Sequence, residues 1–365
     1  HNRMIHWLGY IVLAFTGIQL IVALINLLSE THIPYSASAT GSMVSVLIPA
    51  RNEAKNIGAI LNDLLQQSYW NMEIIVFDDE SFDNTAEIVR NFSRKDERIT
   101  LLSGTGLPGG WLGKTHACYC LAKEAKGEYL LFLDADVRIG GSIINDSITY
   151  SKRTGCSLVS VFPQQEIVTT GELLTVPNMN YILLSLLPLI LVRRTRFSSL
   201  AAANGQFMFF EAGTYMELQP HKKMKAHKVE DILISRFYKS KGKKAACMLG
   251  DERIRCRMYS GFREAVNGFS KNIAEFFGGS FLAALLFWAV TSFGFTMVLG
   301  FPAGVFAIYI ISYFATRIFI SLSSRQNVLK NVALVLPLQV SMGLFLVKSI
   351  TAKFYKGYQW KGRNI

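Results

Sequence analysis

The sequence predicts an α/β domain with a doubly wound sheet, set between apolar helical segments near the two ends of the chain. Three observations predict it. Strand-like and helix-like segments alternate with short connections between residues 44 and 133. Two of the mainly apolar strand segments, at 73–77 and 129–133, run directly into paired carboxylates, the pattern of buried parallel strands whose ends face a ligand. Long stretches without charge lie toward both ends, while residues 43–278 are mixed in composition. Half of the 365 residues are hydrophobic and 18% are charged, too greasy for a soluble enzyme and too charged for membrane helices alone.

In order, Trp7–Leu28 carries no charge and is long enough to span a bilayer. A signal peptide is the rival, but only Arg3 precedes a very long apolar core, which favours an anchor at residues 1–30. Residues 30–42 read as a linker. Val44–Ile48 is a strand followed by Pro49-Ala50-Arg51-Asn52-Glu53. A helix over 53–67 puts Ile57, Ile60, Leu61, Leu64 and Leu65 on one face. The strand Glu73–Phe77 ends in Asp78-Asp79-Glu80-Ser81, and Asp83 caps a helix to Phe92. Ile99–Leu102 is a third strand and 114–126 a helix.

Tyr129–Leu133 is the central strand, and it runs into Asp134-Ala135-Asp136. Alternate residues of extended chain point the same way. The two carboxylates of this D-x-D pair therefore converge past the strand's carboxyl end. They are either solvated loop acids or a pair held together by a cation, for which a divalent metal bridging phosphates is the economical candidate.

Two phosphate-loop lookalikes fail on context. Gly104–Gly109 matches G-x-G-x-x-G but contains Pro108 and does not open a helix; Gly113-Lys114-Thr115 lacks the glycine five positions earlier. Lys114 remains either a solvated lysine or a cation at a helix start, where anions bind. Residues 173–192 are uncharged, yet Pro177, Pro188, Asn178 and Asn180 argue for interfacial helices, with Arg193, Arg194 and Arg196 meeting headgroups. Gln206–Phe210 is a strand candidate. Glu230 and Asp231 open a helix to 239, where dipole capping alone would explain them. His221 and His227 read as loop residues on a basic face.

Gly278–Thr316 is read as two spans around the turn at Gly300-Phe301-Pro302. Asn331–Val347, with Pro337, is marginal for a span and is expected to be re-entrant or interfacial, leaving the basic tail at 351–365 cytoplasmic. The net charge of +12 suits an anionic membrane surface, and no nucleic-acid motif is visible. Five cysteines without C-x-x-C spacing read as reduced packing residues.

With these residues in hand, the chain resembles the membrane-bound family 2 glycosyltransferases of GT-A (Rossmann-like) fold, especially bacterial lipid and carotenoid glycosyltransferases and ceramide glucosyltransferases. The resemblance rests on Val44-Ser-Val-Leu-Ile-Pro-Ala-Arg-Asn-Glu53, Asp78-Asp79-Glu-Ser81, Trp111-Leu-Gly-Lys114, Asp134-Ala-Asp136, Glu230-Asp231 and Trp360-Lys-Gly-Arg363, in that order. It implies that Pro49, Arg51, Glu53, Asp78 and Asp79 hold the base and ribose of a nucleotide sugar, a UDP-sugar above all. Lys114 approaches the diphosphate. Asp136, helped by Asp134, binds Mg²⁺ or Mn²⁺. Asp231, with Glu230 beside it, is the general base of an inverting transfer.

The Q/R-x-x-R-W element that processive members and ceramide glucosyltransferases carry after the base is absent; Arg255-Cys-Arg257-Met-Tyr259 stands there, with Arg257 as the candidate donor clamp. That departure argues for transfer of one sugar to a lipid acceptor rather than for a polysaccharide synthase, and the retained acids argue against an inactive membrane scaffold. The expected organisation is an anchor, a cytoplasmic catalytic domain at 43–278, and a membrane region at 279–350 in a multi-pass protein of the plasma (bacterial inner) membrane.

Overall fold

β1 (Val44–Ala50), β2 (Met72–Asp78), β3 (Ile99–Ser103) and β4 (Tyr129–Leu133) pair in parallel in the order β3-β2-β1-β4. β1, β2 and β4 are apolar runs buried almost throughout, which is what lets them sit inside a sheet covered on both faces. The chain moves outward from β1 to β3, then returns to the far side of β1 for β4. Its winding therefore reverses at the β1–β4 seam, the place where open α/β sheets bind ligands, outside the carboxyl ends of the strands.

Beyond β4 come β5 (Val137–Ile139), β6 (Leu158–Phe162), β7 (Gln164–Gln165), β8 (Phe207–Glu211), β9 (Ala245–Leu249) and β10 (Ile254–Cys256). β8 enters antiparallel between β4 and β6, and β9 lies parallel to β6. The sheet is thus mixed, in the order β3-β2-β1-β4-β8-β6-β9. β10 pairs antiparallel with β5 outside it.

The computed structural model describes residues 2–37, 41–354, 359–360 and 363–364. It divides into two units, one of Glu30–Gln164 and Leu189–Cys256, the other of His1–Ser29, Gln165–Pro188 and Arg257–Ile365.

In the α/β unit the two faces of the sheet have separate cores. Val44, Val46 and Ile48 of β1 pack with Ile57, Ile60, Leu61 and Leu64 of the helix Ile57–Leu65. Leu47 faces the other way, with Ala117, Cys118 and Leu121 of the helix Gly113–Glu124 and Ile234 and Tyr238 of the helix Glu230–Ser240. The first of these helices starts four residues later than the expected Glu53. Asn52 is left-handed (φ 52°), and the Glu53 carboxylate accepts a hydrogen bond from Asn56 Nδ2 at 2.8 Å, so this stretch is a turn rather than a first helical turn. Gly127 is required sterically, since a Cβ there would lie 2.5 Å from the Ser45 nitrogen. Arg253, 4% exposed, is clamped between two buried carboxylates: it donates to Asp251 at 2.6 and 3.0 Å and also pairs with Asp146.

The other unit is helical. Two of its helices, His6–Leu28 and Ala303–Ser323, are long and apolar enough to cross a membrane. Phe281–Phe293 is shorter and is interrupted at Gly294 before Phe295–Val298, so the first half of the expected hairpin is not one long helix. Val335–Phe354 is a single helix, with Pro337 accommodated in its first turn, where its missing N–H has no partner to lose. Of the 351–365 tail, residues 355–358, 361–362 and 365 lie outside the described residues. Pro177 opens the helix Pro177–Leu186, and Pro188 separates it from Leu189–Arg194. Asn178, costly in a purely apolar setting, donates to Leu338 O at 3.0 Å and Ser341 Oγ at 2.9 Å. Asn26 similarly donates to the terminal carbonyls of Leu184 and Leu187.

Candidate active site

The carboxyl ends of β1 and β2 are tied together. Ala50 stands opposite Asp78, and the Asp79 N–H donates to Ala50 O at 2.8 Å. β3 joins through the Gly104 N–H, which donates to Asp78 O at 2.9 Å. Pro49 is the penultimate residue of β1, across from Phe77. The Arg51 guanidinium donates to the carbonyls of Asp79 and Glu80 and lies 3.9 Å from the Asp79 carboxylate. Arg51, Glu53, Asp78 and Asp79 are all buried.

The two loops interlock through main chain and side chain. Asn52 N–H donates to Ser81 Oγ, Phe82 N–H to Asn52 Oδ1 and Glu53 N–H to Thr85 Oγ1, all within 2.9 Å. Asn52 and Glu80 both hold positive φ, 52° and 54°, a strain that such interlocking sustains. The result is a rigid, acid-lined end to β1 and β2.

The second half of the site comes from β4, β8 and two helix starts. Leu133 pairs with Phe207 in the antiparallel β4–β8 register, so residues 204–206 lie beside the end of β4. The Asp134 N–H donates to Gln206 O at 3.1 Å across that seam. Lys114, in the first turn of its helix, places Nζ 2.7 and 2.8 Å from the two Asp134 carboxylate oxygens and 3.4 Å from Gly205 O. The Gly205 N–H donates to Asp231 Oδ2 at 2.9 Å. A Cβ on Gly205 would stand 3.2 Å from Lys114 Nζ and 3.6 Å from Asp231 Oδ2, so the backbone here lies in close contact with both groups. Residues 114, 134, 205 and 231 thus meet at the carboxyl end of β4.

Charge is crowded here. Burial and the neighbouring Asp134 carboxylate raise the Asp136 pKa to about 6, against the pull of Lys114. Asp136 Oδ1 is buried without a hydrogen-bond partner. Burial also lifts Glu230 to about 7, with Lys114 opposing and Asp231 reinforcing. Asp231 is pushed above the ordinary carboxylate range by burial, although the Ile232 and Gly205 N–H groups work to lower it. Burial disfavours the Lys114 ammonium, yet Asp134 and Glu230 outweigh it and hold its pKa above that of a free lysine. Among the described residues no group of three or more His, Cys, Asp or Glu could hold a metal, so the chain offers the Asp134–Asp136 pair and no larger cage.

Three features differ from the sequence reading or escape it. His221 is not a loop residue on a basic face. It lies in the short helix Pro220–Lys223, 2% exposed, against the Phe132 ring at 4.8 Å and hydrogen-bonded to Tyr215 at 2.7 Å; burial, then Lys114, lower its pKa to about 3. Gly205 escapes it, although a glycine just ahead of a strand is a recognised sign of close approach. Arg257 belongs to the helical unit, where its guanidinium donates to Glu172 at 2.8 Å. The five cysteines are unpaired, as expected.

Residues 45–210 match glycosyl transferase family 2. The 4,4'-diaponeurosporenoate glycosyltransferase of Staphylococcus haemolyticus is 29% identical over 245 residues, covering 64% of this chain and 62% of that protein. Its namesake from Staphylococcus aureus (strain USA300) is 27% identical over 261 residues, covering 67% and 65%. The chain therefore spans under two thirds of the length of these relatives. Among solved structures, the mannosyltransferase PcManGT from Pyrobaculum calidifontis, in complex with GDP-Man and Mn²⁺, superposes with a TM-score of 0.57 at 16% identity over 96% of this chain and 99% of that one. At such identity the likeness speaks for the fold. With its sheet reversing at β1–β4 and acids at the strand ends, the chain has the GT-A fold, and the match to glycosyl transferase family 2 lies over residues 45–210 of it.

Proposed function

We infer that the protein transfers a single sugar from a nucleotide-diphosphate sugar, a UDP-hexose, to a lipid acceptor at the cytoplasmic face of the plasma membrane, with inversion at the anomeric carbon. The observation that carries this reading is the meeting of Lys114, Asp134, Gly205 and Asp231 at one strand end, beside the acid-lined loops of β1 and β2. Pro49, Arg51, Glu53, Asp78 and Asp79 hold the nucleoside in that loop cleft. Lys114 faces the diphosphate, and Arg257 is the candidate donor clamp.

The acceptor oxygen attacks the anomeric carbon and gives its proton to the Asp231 carboxylate. The bond from that carbon to the diphosphate oxygen breaks, and its electron pair leaves with the nucleoside diphosphate. A base whose pKa is raised above the ordinary carboxylate range, and which two backbone N–H groups hold in place, suits that proton transfer. Glu230 beside it adds to the negative potential. The orphaned Asp136 Oδ1 and the crowded Asp134 carboxylate are the hard oxygen donors that Mg²⁺ or Mn²⁺ prefers, so these two residues fit a divalent ion. When bound, such an ion neutralises charge on the departing diphosphate.

The lipid acceptor is supported by relatives named for glycosyl transfer to a carotenoid, and the membrane by the helices His6–Leu28 and Ala303–Ser323. In this reading residues 43–278 are catalytic, 1–30 an anchor and 279–350 a membrane region. The test is nucleoside diphosphate release by purified protein given a UDP-sugar, Mn²⁺ or Mg²⁺ and a membrane lipid extract. A single-sugar glycolipid of inverted configuration, lost in Asp231→Asn, is the expected product. No release with any common UDP-sugar would overturn the reading, and a long heterogeneous product would turn it toward a polysaccharide synthase.

A further inference from the structure

A second cluster of charge lies far from the strand ends described above. Glu30, Arg153, Thr154, Arg193, Arg194 and Lys244 line a cleft of about 490 Å³ in the α/β unit. Lys244 immediately precedes β9, and Thr154 ends the helix that leads into β6. Both strands run parallel to β4, since β8 is antiparallel to β4 and to β6 while β9 is parallel to β6. The cleft therefore opens at the amino edge of the sheet. A five-residue strand, roughly 17 Å, separates that edge from the edge carrying Lys114 and Asp231. It is not the donor site.

Four cations face one carboxylate there. Glu30 draws two of them inward: Arg153 Nη2 donates to Glu30 Oε1 at 2.7 Å and Arg193 Nη1 to Oε2 at 3.2 Å. The buried Tyr150 fixes the same pair, with guanidinium carbons 5.5 and 5.6 Å from its ring and its hydroxyl 2.8 Å from Arg193 Nη1. Glu30 is accordingly held below the ordinary carboxylate range: burial works to raise it, and the two arginines outweigh that. Arg194 and Lys244 are exposed and make no ion pair among the described residues; Lys244 Nζ reaches only Thr154 O, at 3.3 Å. The cleft thus keeps an excess of three positive charges, two from Arg194 and Lys244 and one from the pair of pre-oriented arginines, whose fork suits phosphate oxygens.

Its place in the chain selects the phosphate. Glu30 comes two residues after the apolar helix that ends at Leu28, and Arg193 and Arg194 close the uncharged run 173–192. Cations at such positions meet the phosphates of anionic lipids. We propose that this cleft binds the phosphate of an anionic phospholipid headgroup, with Arg194 and Lys244 as its free cations and the Glu30-braced Arg153 and Arg193 as its floor. The arginines expected to act as a loose basic stripe are divided: Arg193 is braced by Glu30 and Tyr150, and Arg194 joins residues distant in sequence.

The test is thermal unfolding of the full-length protein in detergent, titrated with dihexanoyl phosphatidylglycerol, with its phosphatidylcholine counterpart, or with inorganic phosphate. A binder of the native state raises the midpoint by mass action. Phosphatidylglycerol should raise it by several degrees at concentrations where the other two do not. The doubly substituted Arg194→Gln, Lys244→Gln protein should lose that shift, its apparent Kd weakening by about tenfold or more, while Arg196→Gln keeps it. Both replaced side chains are exposed, and the comparison of ligands on the unaltered protein needs no variant at all. An equal shift with phosphatidylcholine, an equal shift with inorganic phosphate, or a shift surviving the double substitution would each overturn the assignment.

Discussion

Replacing Lys114 with methionine should tighten Mn²⁺ binding to the nucleotide-free protein while weakening its hold on the donor. The ammonium sits 2.7 and 2.8 Å from the two oxygens of Asp134, the ground a divalent ion would need. At an effective dielectric of about 20, two unit charges about 4 Å apart interact by about 4 kcal/mol. Both side chains are 25% exposed, so solvent screens much of this. About 1–2 kcal/mol should remain, or on the order of tenfold in Kd. The assay is titration of free Mn²⁺ by electron paramagnetic resonance, with and without UDP. Unaltered protein should bind the ion weakly alone and more tightly with UDP, whose diphosphate draws Lys114 away. Lys114→Met should bind it well without nucleotide, and Lys114→Arg should behave like the parent. A methionine variant with unchanged or weaker nucleotide-free affinity refutes the reasoning about Lys114 and leaves the proposed transfer standing. Failure of the parent to bind Mn²⁺ even with UDP would remove the metal from that proposal.

Glu230→Gln should stabilise the fold at pH 8 and not at pH 4, read by denaturant unfolding. The native carboxyl titrates near 7 and the unfolded one near 4, so stability falls as pH rises through that window; the substitution should recover about 1–3 kcal/mol above it, and equal stabilities at pH 8 would contradict the burial argument. Arg253→Met leaves Asp146 and Asp251 buried without their cation and should cost about 3–5 kcal/mol; a loss under 1 kcal/mol would show that water reaches them. Sugar transfer should fall as pH drops below about 6, where Asp136 takes up a proton; a rate flat down to pH 5 would exclude Asp136 as a working carboxylate. A phosphatase reporter fused after residue 365 should show no periplasmic activity if the basic tail is cytoplasmic.

The parallel half of the sheet was readable because β1 and β4 are uncharged runs, β2 and β4 run into paired acids, and helices of plain 3.6 period connect the strands. β6 and β9 were not. Leu158–Phe162 and Ala245–Leu249 are buried along their whole length, so neither shows the alternation that marks a half-covered strand, and their serine, alanine and cysteine content hides them in a mixed region. The acids and Lys114 could be singled out by motif. Their assembly could not, because Lys114 meets Gly205 across 91 residues and only the antiparallel entry of β8 brings that segment back. His221 misled because lysines surround it in sequence, whereas aromatic rings surround it in space.

That antiparallel strand also divides labour along the chain. Nearly every residue assigned to the donor precedes position 137, whereas the pair assigned to the incoming oxygen's proton follows position 229, and β8 is the hinge pin that seats the later part against the earlier one. If those assignments hold, substitutions in the later half should alter what is glycosylated while the earlier half keeps its choice of donor.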